Sequence, residues 1–495
     1  MKKKILIGIL SVITLVCLIC FTACQHTHSF SETIIPATCK QGGYTLSVCE
    51  CGENQKHTFT LKLEHVFDKK NTDEEYLYKQ VSCETSAEYY YSCQCGAKGE
   101  QTFEDGLPTG HSYSLTLDAN YFEHWYACAN CGDKKERAEH TFTNDVCTCG
   151  KENTTLSGQE LFVRVDKKGN YDSQGSYLLF GSYPQLQVKD ENYISQLNKI
   201  SGDLPTATHS GLWTDYGYYA EGNTLSYMWY IDIDLQDGSG KTDKYRGVYF
   251  SQYRPNSWLG QSSIEQTFQD DNGFENGKIY WFKFQPILWR ILNDNDTKDD
   301  CDKTGKAFLL CESIIDSQPY YIDYYSRNIG GVEIGPSNYA HSTIRSWLNN
   351  QFFNTALTPT EQAIVDNTLV KNNVRSTNPA EYASGINYGM NDNACENTTD
   401  KVFLLSMQEV TDGLYGYDTH YDLADKAREK QSTDYAKIQG LCVYGENSSW
   451  WLRSPEYKSD CLVYGVDQTG LAYFSDQAYA TREGIVPALY ISLGN

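Results

Sequence analysis

Apolar residues are spread unevenly along this chain of 495 residues. A long, mainly apolar run occupies 5–20, apolar residues then become scarce up to Gly150, and regular hydrophobic patterning begins only after about 175. In that last part, β-branched and aromatic residues nearly alternate over 280–292, the pattern of a half-buried strand, with Pro286 predicting a bend or a sheet edge in its middle. A second strand is predicted over 306–315, joined to the first as a hairpin by the acidic turn 293–305. Ile344, Trp347, Leu348 and Phe352 follow helical spacing behind a Ser342 cap. Thr358-Pro359-Thr360-Glu361 has the form of a capping box with proline at the first helical position, and Ser406 with Glu409 repeats that form after a strand at 402–405. Strands return at 450–453, 461–466, 471–474 and 485–493, with a turn at 467–470. The expected class is α+β, with short helices against an irregular antiparallel sheet.

The run at 5–20 follows Lys2, Lys3 and Lys4 and ends in Phe21-Thr22-Ala23-Cys24, which reads as a secretory signal peptide over 1–23. The small pair before Cys24 resembles a bacterial lipobox, with Phe21 where Leu is usual. That resemblance implies a diacylglyceryl thioether on Cys24 and a protein held on the outer face of the cytoplasmic membrane. An uncleaved transmembrane anchor is the alternative, since the run is near the length that spans a bilayer. The formal net charge is −23, and loss of the three signal lysines makes the mature chain more acidic still. Such a surface is repelled by nucleic acid and by anionic lipid. The 39 tyrosines against 4 methionines suit β-hairpins and extracellular contact surfaces better than a helical bundle.

Where apolar residues are scarce, cysteine and histidine are dense. His28-Ser-Phe30 precedes Cys39, Cys49, Cys51 and Gly52, and His65-Val-Phe67 precedes Cys83, Cys93, Cys95 and Gly96. The three cysteines recur after 44 residues, the mark of an array of like modules. A third copy has His111, Tyr113, His124, Cys128, Cys131 and His140, and a truncated fourth has His140, Phe142, Cys147, Cys149 and Gly150. Zinc accounts for this set, because it gathers four thiolate or imidazole ligands in a tetrahedron and a Cys-x-x-Cys knuckle with a following glycine lets two thiolates converge. Each full copy is expected to supply its own three cysteines and one histidine. The strongest single site is expected at Cys128 and Cys131 with His124 and His140 or His111. A disulfide scaffold and reduced thiols without metal are the alternatives, although three cysteines per copy leave one unpaired. The copies resemble Cys/His-rich repeats of surface proteins in gut Firmicutes through Ala37-Thr38-Cys39, Cys49-Glu-Cys51-Gly52 and His57-Thr-Phe59 or His65-Val-Phe67. The resemblance implies a spacer or adhesive stalk over 24–150, followed by a linker at 151–174.

The blocks LFGSYP at 179–184, YRGVYF at 245–250, WRIL at 289–292, IRSWLN at 344–349, KVFLLS at 401–406, WWLRSP at 450–455 and GIVPAL at 484–489 resemble, in order, a bacterial domain of unknown function numbered 6273. The resemblance covers about 175–495, with Val486 where that family usually has arginine. The family is in turn similar to the C-type-lectin-like fold of formylglycine-generating enzymes, which implies such a fold here. A catalytic constellation is not found. His209, His341 and His420 are isolated, and Cys301, Cys311, Cys395, Cys442 and Cys461 do not form the terminal cysteine pair of those oxidases. Asp232, Asp234 and Asp237 offer carboxylates to Ca²⁺, with an Asp-Gly hairpin turn as the alternative reading. Trp450, Trp451 and Arg453, with Asp476, Tyr479 and Arg482, form the densest recognition cluster, suited to a glycan or a surface protein; a core role for the tryptophans is the competing reading. The loops 456–460 and 475–483 are the further contact candidates. The expected function is therefore a lipid-anchored receptor for an extracellular glycan or protein, with an extracellular wall- or glycan-directed enzyme and a purely structural surface protein as alternatives.

Overall fold

The computed structural model describes residues 27–153, 161–206, 208–216, 227–236, 240–254, 268–293, 305–380 and 391–493. The signal peptide, Cys24, His26, Asp237 and Cys301 lie outside them. Among the described residues no helix is long and apolar enough to cross a membrane. The chain divides into two compact units, one of residues up to Leu115 with Tyr126–Glu136, the other of Thr116–Trp125 with Arg137 onward.

The first unit is built of small antiparallel sheets. Phe30–Ile35, Tyr44–Cys49 and Asn54–His57 form one, and Leu77–Lys79, Ala87–Ser92 and Lys98–Asp105 form the next. Little apolar surface is buried in the described part of the Cys/His region. Apart from cysteines, the buried apolar side chains before residue 154 are Tyr76, Ala87, Phe103, Ala119 and Trp125, while Ile34, Phe59, Leu61 and Leu115 stay exposed. Segments with so small a core need a covalent or metal staple to hold a fixed shape.

In the second unit a nine-stranded antiparallel sheet is organised around Ile279–Asn293. Tyr177–Gln187 pairs along one side of this strand, and on the other side Thr242–Phe250 pairs with its first half and Lys306–Cys311 with its second. Pro286 therefore sits in the centre of the sheet rather than at an edge or bend. It falls where the neighbour on one side changes from one strand to the next, and it lies beside the bulge between Leu179 and Ser182 on the other, so its missing N–H interrupts no continuous ladder. The hairpin to Lys306–Cys311 forms as expected, with Trp289 opposite Cys311. Phe162–Val165 adds an outer strand, with Val163 and Val165 buried, so part of the stretch read as a linker belongs to the sheet; its short apolar alternation is what carries it there.

A second sheet has the order Asp316–Ser317, Gly484–Ile485, Trp450–Pro455, Leu462–Val466, Phe474–Gln477. The last stretch expected as one strand is thus divided: Gly484–Ile485 joins this sheet, and Ala488–Ser492 crosses to the main sheet beyond Pro487. Helices are short and capped as expected. The Ser342 hydroxyl accepts from the Arg345 N–H, and Thr358 with Glu361 and Ser406 with Glu409 form complete capping boxes. Ile344, Leu348 and Phe352 enter the same core as Trp289, Trp450 and Trp451. The class is α+β, dominated by antiparallel sheets.

Beside the second sheet, Asp476 accepts from Arg482 at 2.8 Å, and burial together with the Asp476 charge pushes the Glu483 carboxyl up to about 8. Glu483 is fully buried and the unfolded chain titrates near 4.5, so the folded protein holds a proton that the unfolded chain releases between those values. Stability therefore falls as pH rises through that window. Glu483→Gln is expected to flatten this slope and raise the urea midpoint at pH 8 relative to the parent, with little change at pH 4.5. A parallel pH dependence in both proteins would disprove the assignment.

Candidate metal centres

Four groups of cysteine and histidine converge, each with its donor atoms within 4.8 Å of one another: His28 with Cys49 and Cys51; Cys39, His65, Cys93 and Cys95; Cys83, His111, Cys128 and Cys131; and His124, His140, Cys147 and Cys149. The same local geometry builds all four. In each knuckle the glycine after the last cysteine has positive φ (90° at Gly52, 87° at Gly96, 77° at Gly132, 86° at Gly150) and its N–H donates to the carbonyl of the first knuckle cysteine at 2.8–2.9 Å. A left-handed residue closes both the Cys-x-Cys and the Cys-x-x-Cys turn, which is why glycine follows each. The one-residue difference in spacing thus leaves the turn's closure unchanged.

Each knuckle faces a histidine through Nδ1. The separations from Sγ of the second cysteine are 3.2 Å for His28, 3.3 Å for His65, 3.3 Å for His111 and 3.4 Å for His140. The aromatic residue two positions on packs against the imidazole, with centroids 5.6 Å apart for His28 and Phe30, 5.6 Å for His65 and Phe67, 5.3 Å for His111 and Tyr113, and 6.0 Å for His140 and Phe142. This explains the recurrent His-x-Phe/Tyr. The far nitrogen, Nε2, meets Glu53 at 2.8 Å from His28, Glu84 at 3.5 Å from His111 and the Asn120 carbonyl at 3.0 Å from His140. An outward partner of this kind fixes the tautomer that leaves Nδ1 free to ligate.

The ligand separations suit a tetrahedral ion. Thiolates at about 2.3 Å and imidazole nitrogens at about 2.0–2.1 Å from one zinc-sized ion imply edges of about 3.5–3.8 Å. Here Cys39 and Cys93 are 3.5 Å apart, Cys83 and Cys128 3.8 Å, and Cys147 lies 3.5 Å from His124 Nδ1. These are far longer than a disulfide bond, and all the described cysteines are free thiols. The backbone N–H of Cys95 and the His65 ring hold the Cys93 thiol down at about 6, so a thiolate forms there readily. These groups could hold a metal ion, and in the three that bring four protein ligands together its role would be structural; the group of His28, Cys49 and Cys51 supplies three.

The partition of donors departs from the expected one set per copy. Cys39 belongs with the second copy's His65, Cys93 and Cys95, and Cys83 with the third copy's His111, Cys128 and Cys131. Strand length is the cause. Cys39 lies beyond the Ile35 and Tyr44 end of the first hairpin, whereas Cys49 pairs with Phe30 at the opposite end. Six strand residues, five steps of about 3.4 Å, separate the ends by roughly 17 Å, so Cys39 cannot share an ion with Cys49 and Cys51. His124 and His140 likewise join Cys147 and Cys149 rather than Cys128 and Cys131, while His57 binds Ser47 and Thr58 outside any group.

The residues read as a ligand surface are differently placed. Trp450 and Trp451 are fully buried, their indole N–H groups donating to the carbonyls of Arg428 and Gln318 at 3.1 and 3.0 Å. Arg453 is buried against Glu409, where it also ties down the Leu404 carbonyl. Tyr479 is buried beside Tyr324, and Asp476 is taken by Arg482, itself half-buried. Tryptophans on a central strand with apolar neighbours fill the core, so this cluster offers no open recognition face. The 475–483 loop is mostly buried with it, whereas Tyr457, Lys458 and Asp460 of the other loop are exposed. Val486 is fully buried, an apolar core position. Asp232 is engaged by Arg246 at 2.7 and 2.8 Å on a regular strand, with Lys244 at 3.4 Å, so its carboxylate is not free for Ca²⁺. His341 meets Glu396 at 3.1 Å and His420 meets Asp418 at 2.9 Å.

Residues 304–493 match the model of a family described as a domain of unknown function, DUF6273. The match takes in four of the seven blocks noted above and begins later than the 175 expected from them. No curated protein and no solved structure matches the chain.

The crossed partition is tested by metal counting in paired variants. Cys39→Ser with Cys93→Ser removes donors from one centre and is expected to lower bound metal by one ion per chain. Cys39→Ser with Cys49→Ser removes donors from two and is expected to lower it by two. The opposite ranking by elemental analysis would restore one centre per copy.

Proposed function

We propose that this protein is a lipid-anchored surface receptor, in which zinc-stapled repeats carry a C-terminal domain that binds an extracellular glycan or protein. The observation that carries the reading is the sharing of donors between successive copies in a segment with almost no apolar core. Such a segment gains its shape from ions rather than from burial, which suits a spacer and requires no catalysis. Zinc is the ion that thiolate-rich tetrahedral sets of this size favour. The signal-like run before Cys24 and the acidic charge support an anchored extracellular chain. The C-type-lectin-like reading of the terminal domain rests on the order of its sequence blocks and on short capped helices set against antiparallel sheets.

Two measurements test the proposal. Under a chelator, amides of Tyr44–Cys49 and Ala87–Ser92 are expected to lose hydrogen-exchange protection while those of Ile279–Asn293 keep it; unchanged protection would remove the metal-stapled spacer. On glycan and surface-protein arrays the full chain is expected to capture a ligand without altering it. Turnover of a captured glycan would replace the receptor with an enzyme, and blank arrays would leave the purely structural alternative.

A further inference from the structure

The second unit carries a polar cavity of about 360 Å³, one wall of which comes from the segment that bears the fourth metal centre. On one side lie Asn120, Phe122 and Glu123, immediately before the ligand His124, and Arg137 and Glu139, immediately before the ligand His140. Opposite are Gln431, Asp434, Lys437 and Glu446, from the start of helix Asp434–Ile438 and the turn after Val443–Tyr444.

The centre and the cavity are joined by direct contacts. His140 presents Nδ1 to Cys149 at 3.4 Å and Nε2 to the Asn120 carbonyl at 3.0 Å, and its backbone N–H donates to the Phe122 carbonyl at 3.4 Å. An ion held at Nδ1 leaves the proton on Nε2, where it donates to Asn120. Asn120 in turn accepts from the N–H groups of Phe122 and Glu123 at 2.9 Å each and donates to Gln431 at 3.1 Å. Arg137 pairs with both Glu123 and Glu446, so its guanidinium bridges the two sides of the cavity.

Four carboxylates (Glu123, Glu139, Asp434, Glu446) face three cations there, and each cation is ion-paired: Arg137 as above, Lys189 with Glu139 at 2.8 Å, and Lys437 with Asp434 at 3.0 Å. A charged ligand would have to displace one of these pairs. A hydroxyl does not, because it donates to a carboxylate oxygen and accepts from a neighbouring N–H at once. Half-buried Phe122 adds an apolar face for sugar C–H groups. The volume lies at the small end of ligand sites.

We propose that this cavity binds a neutral saccharide of about two rings and that the fourth metal centre sets its shape. The proposal rests on the receptor and metal readings above. The test is calorimetric titration of the full, zinc-loaded chain in detergent with lactose, cellobiose and N,N′-diacetylchitobiose, with metal content measured on each sample. At least one disaccharide is expected to bind, at least tenfold more weakly to Arg137→Ala and to Glu446→Gln. Cys149→Ser is expected to carry one ion fewer and to lose at least tenfold in affinity while its near-ultraviolet circular dichroism still reports a folded tryptophan core.

Failure of all three sugars overturns the proposal, as does undiminished binding by both cavity variants. If a ligand has been captured on the arrays in either case, the receptor reading survives and only this cavity is excluded. Full affinity in a Cys149→Ser protein shown to lack the ion overturns the dependence on metal.

Discussion

A β-strand of six residues is too long for cysteines at its two ends to meet, and that constraint shapes the Cys/His region. Thiols ten positions apart within one copy are held at opposite ends of a hairpin, so the first of them, Cys39 or Cys83, finds its partners in the next copy while the second stays with the histidine and knuckle of its own. Cys39 and Cys83 therefore reach forward, and the two centres they enter come to lie between copies. Within the first unit the ions would take the place of the apolar core that these short sheets lack, with Cys49, Cys83, Cys93 and Cys128 among the most buried side chains.

Much of this was legible in the sequence, because cysteine, histidine and glycine announce their chemistry by identity. All the donors named from the repeats fall into one of the four groups. Their grouping was not legible, since spacing along the chain says nothing of direction until the intervening residues are known to be extended. The same limit applies to Pro286, whose place depends on where two other strands end. The Asn120, Arg137 and Glu446 cavity escaped notice because its residues lie far apart in sequence; the adjacency of Glu123 to His124 and of Glu139 to His140 was its faint signal.

In the terminal domain the capping boxes and the Tyr280 to Leu292 alternation translated directly into structure, as local signals do. Trp450, Trp451 and Arg453 did not. An arginine beside two tryptophans suggests a binding face, yet here it satisfies Glu409 and the Leu404 carbonyl within the core, and both indoles are used on carbonyls. Aromatic and cationic residues serve recognition and packing with the same chemistry, and only burial separates the two roles.

Sharing of donors between neighbours also governs how such an array can change in length. Duplicating or deleting a whole 44-residue period keeps every forward-reaching thiol opposite a complete knuckle, so the chain grows or shrinks in unit steps without leaving a half-built centre. Any cut within a period strands donors on both sides of it. The truncated fourth copy escapes this fate by substituting His124 for the cysteine that a full period would have sent forward.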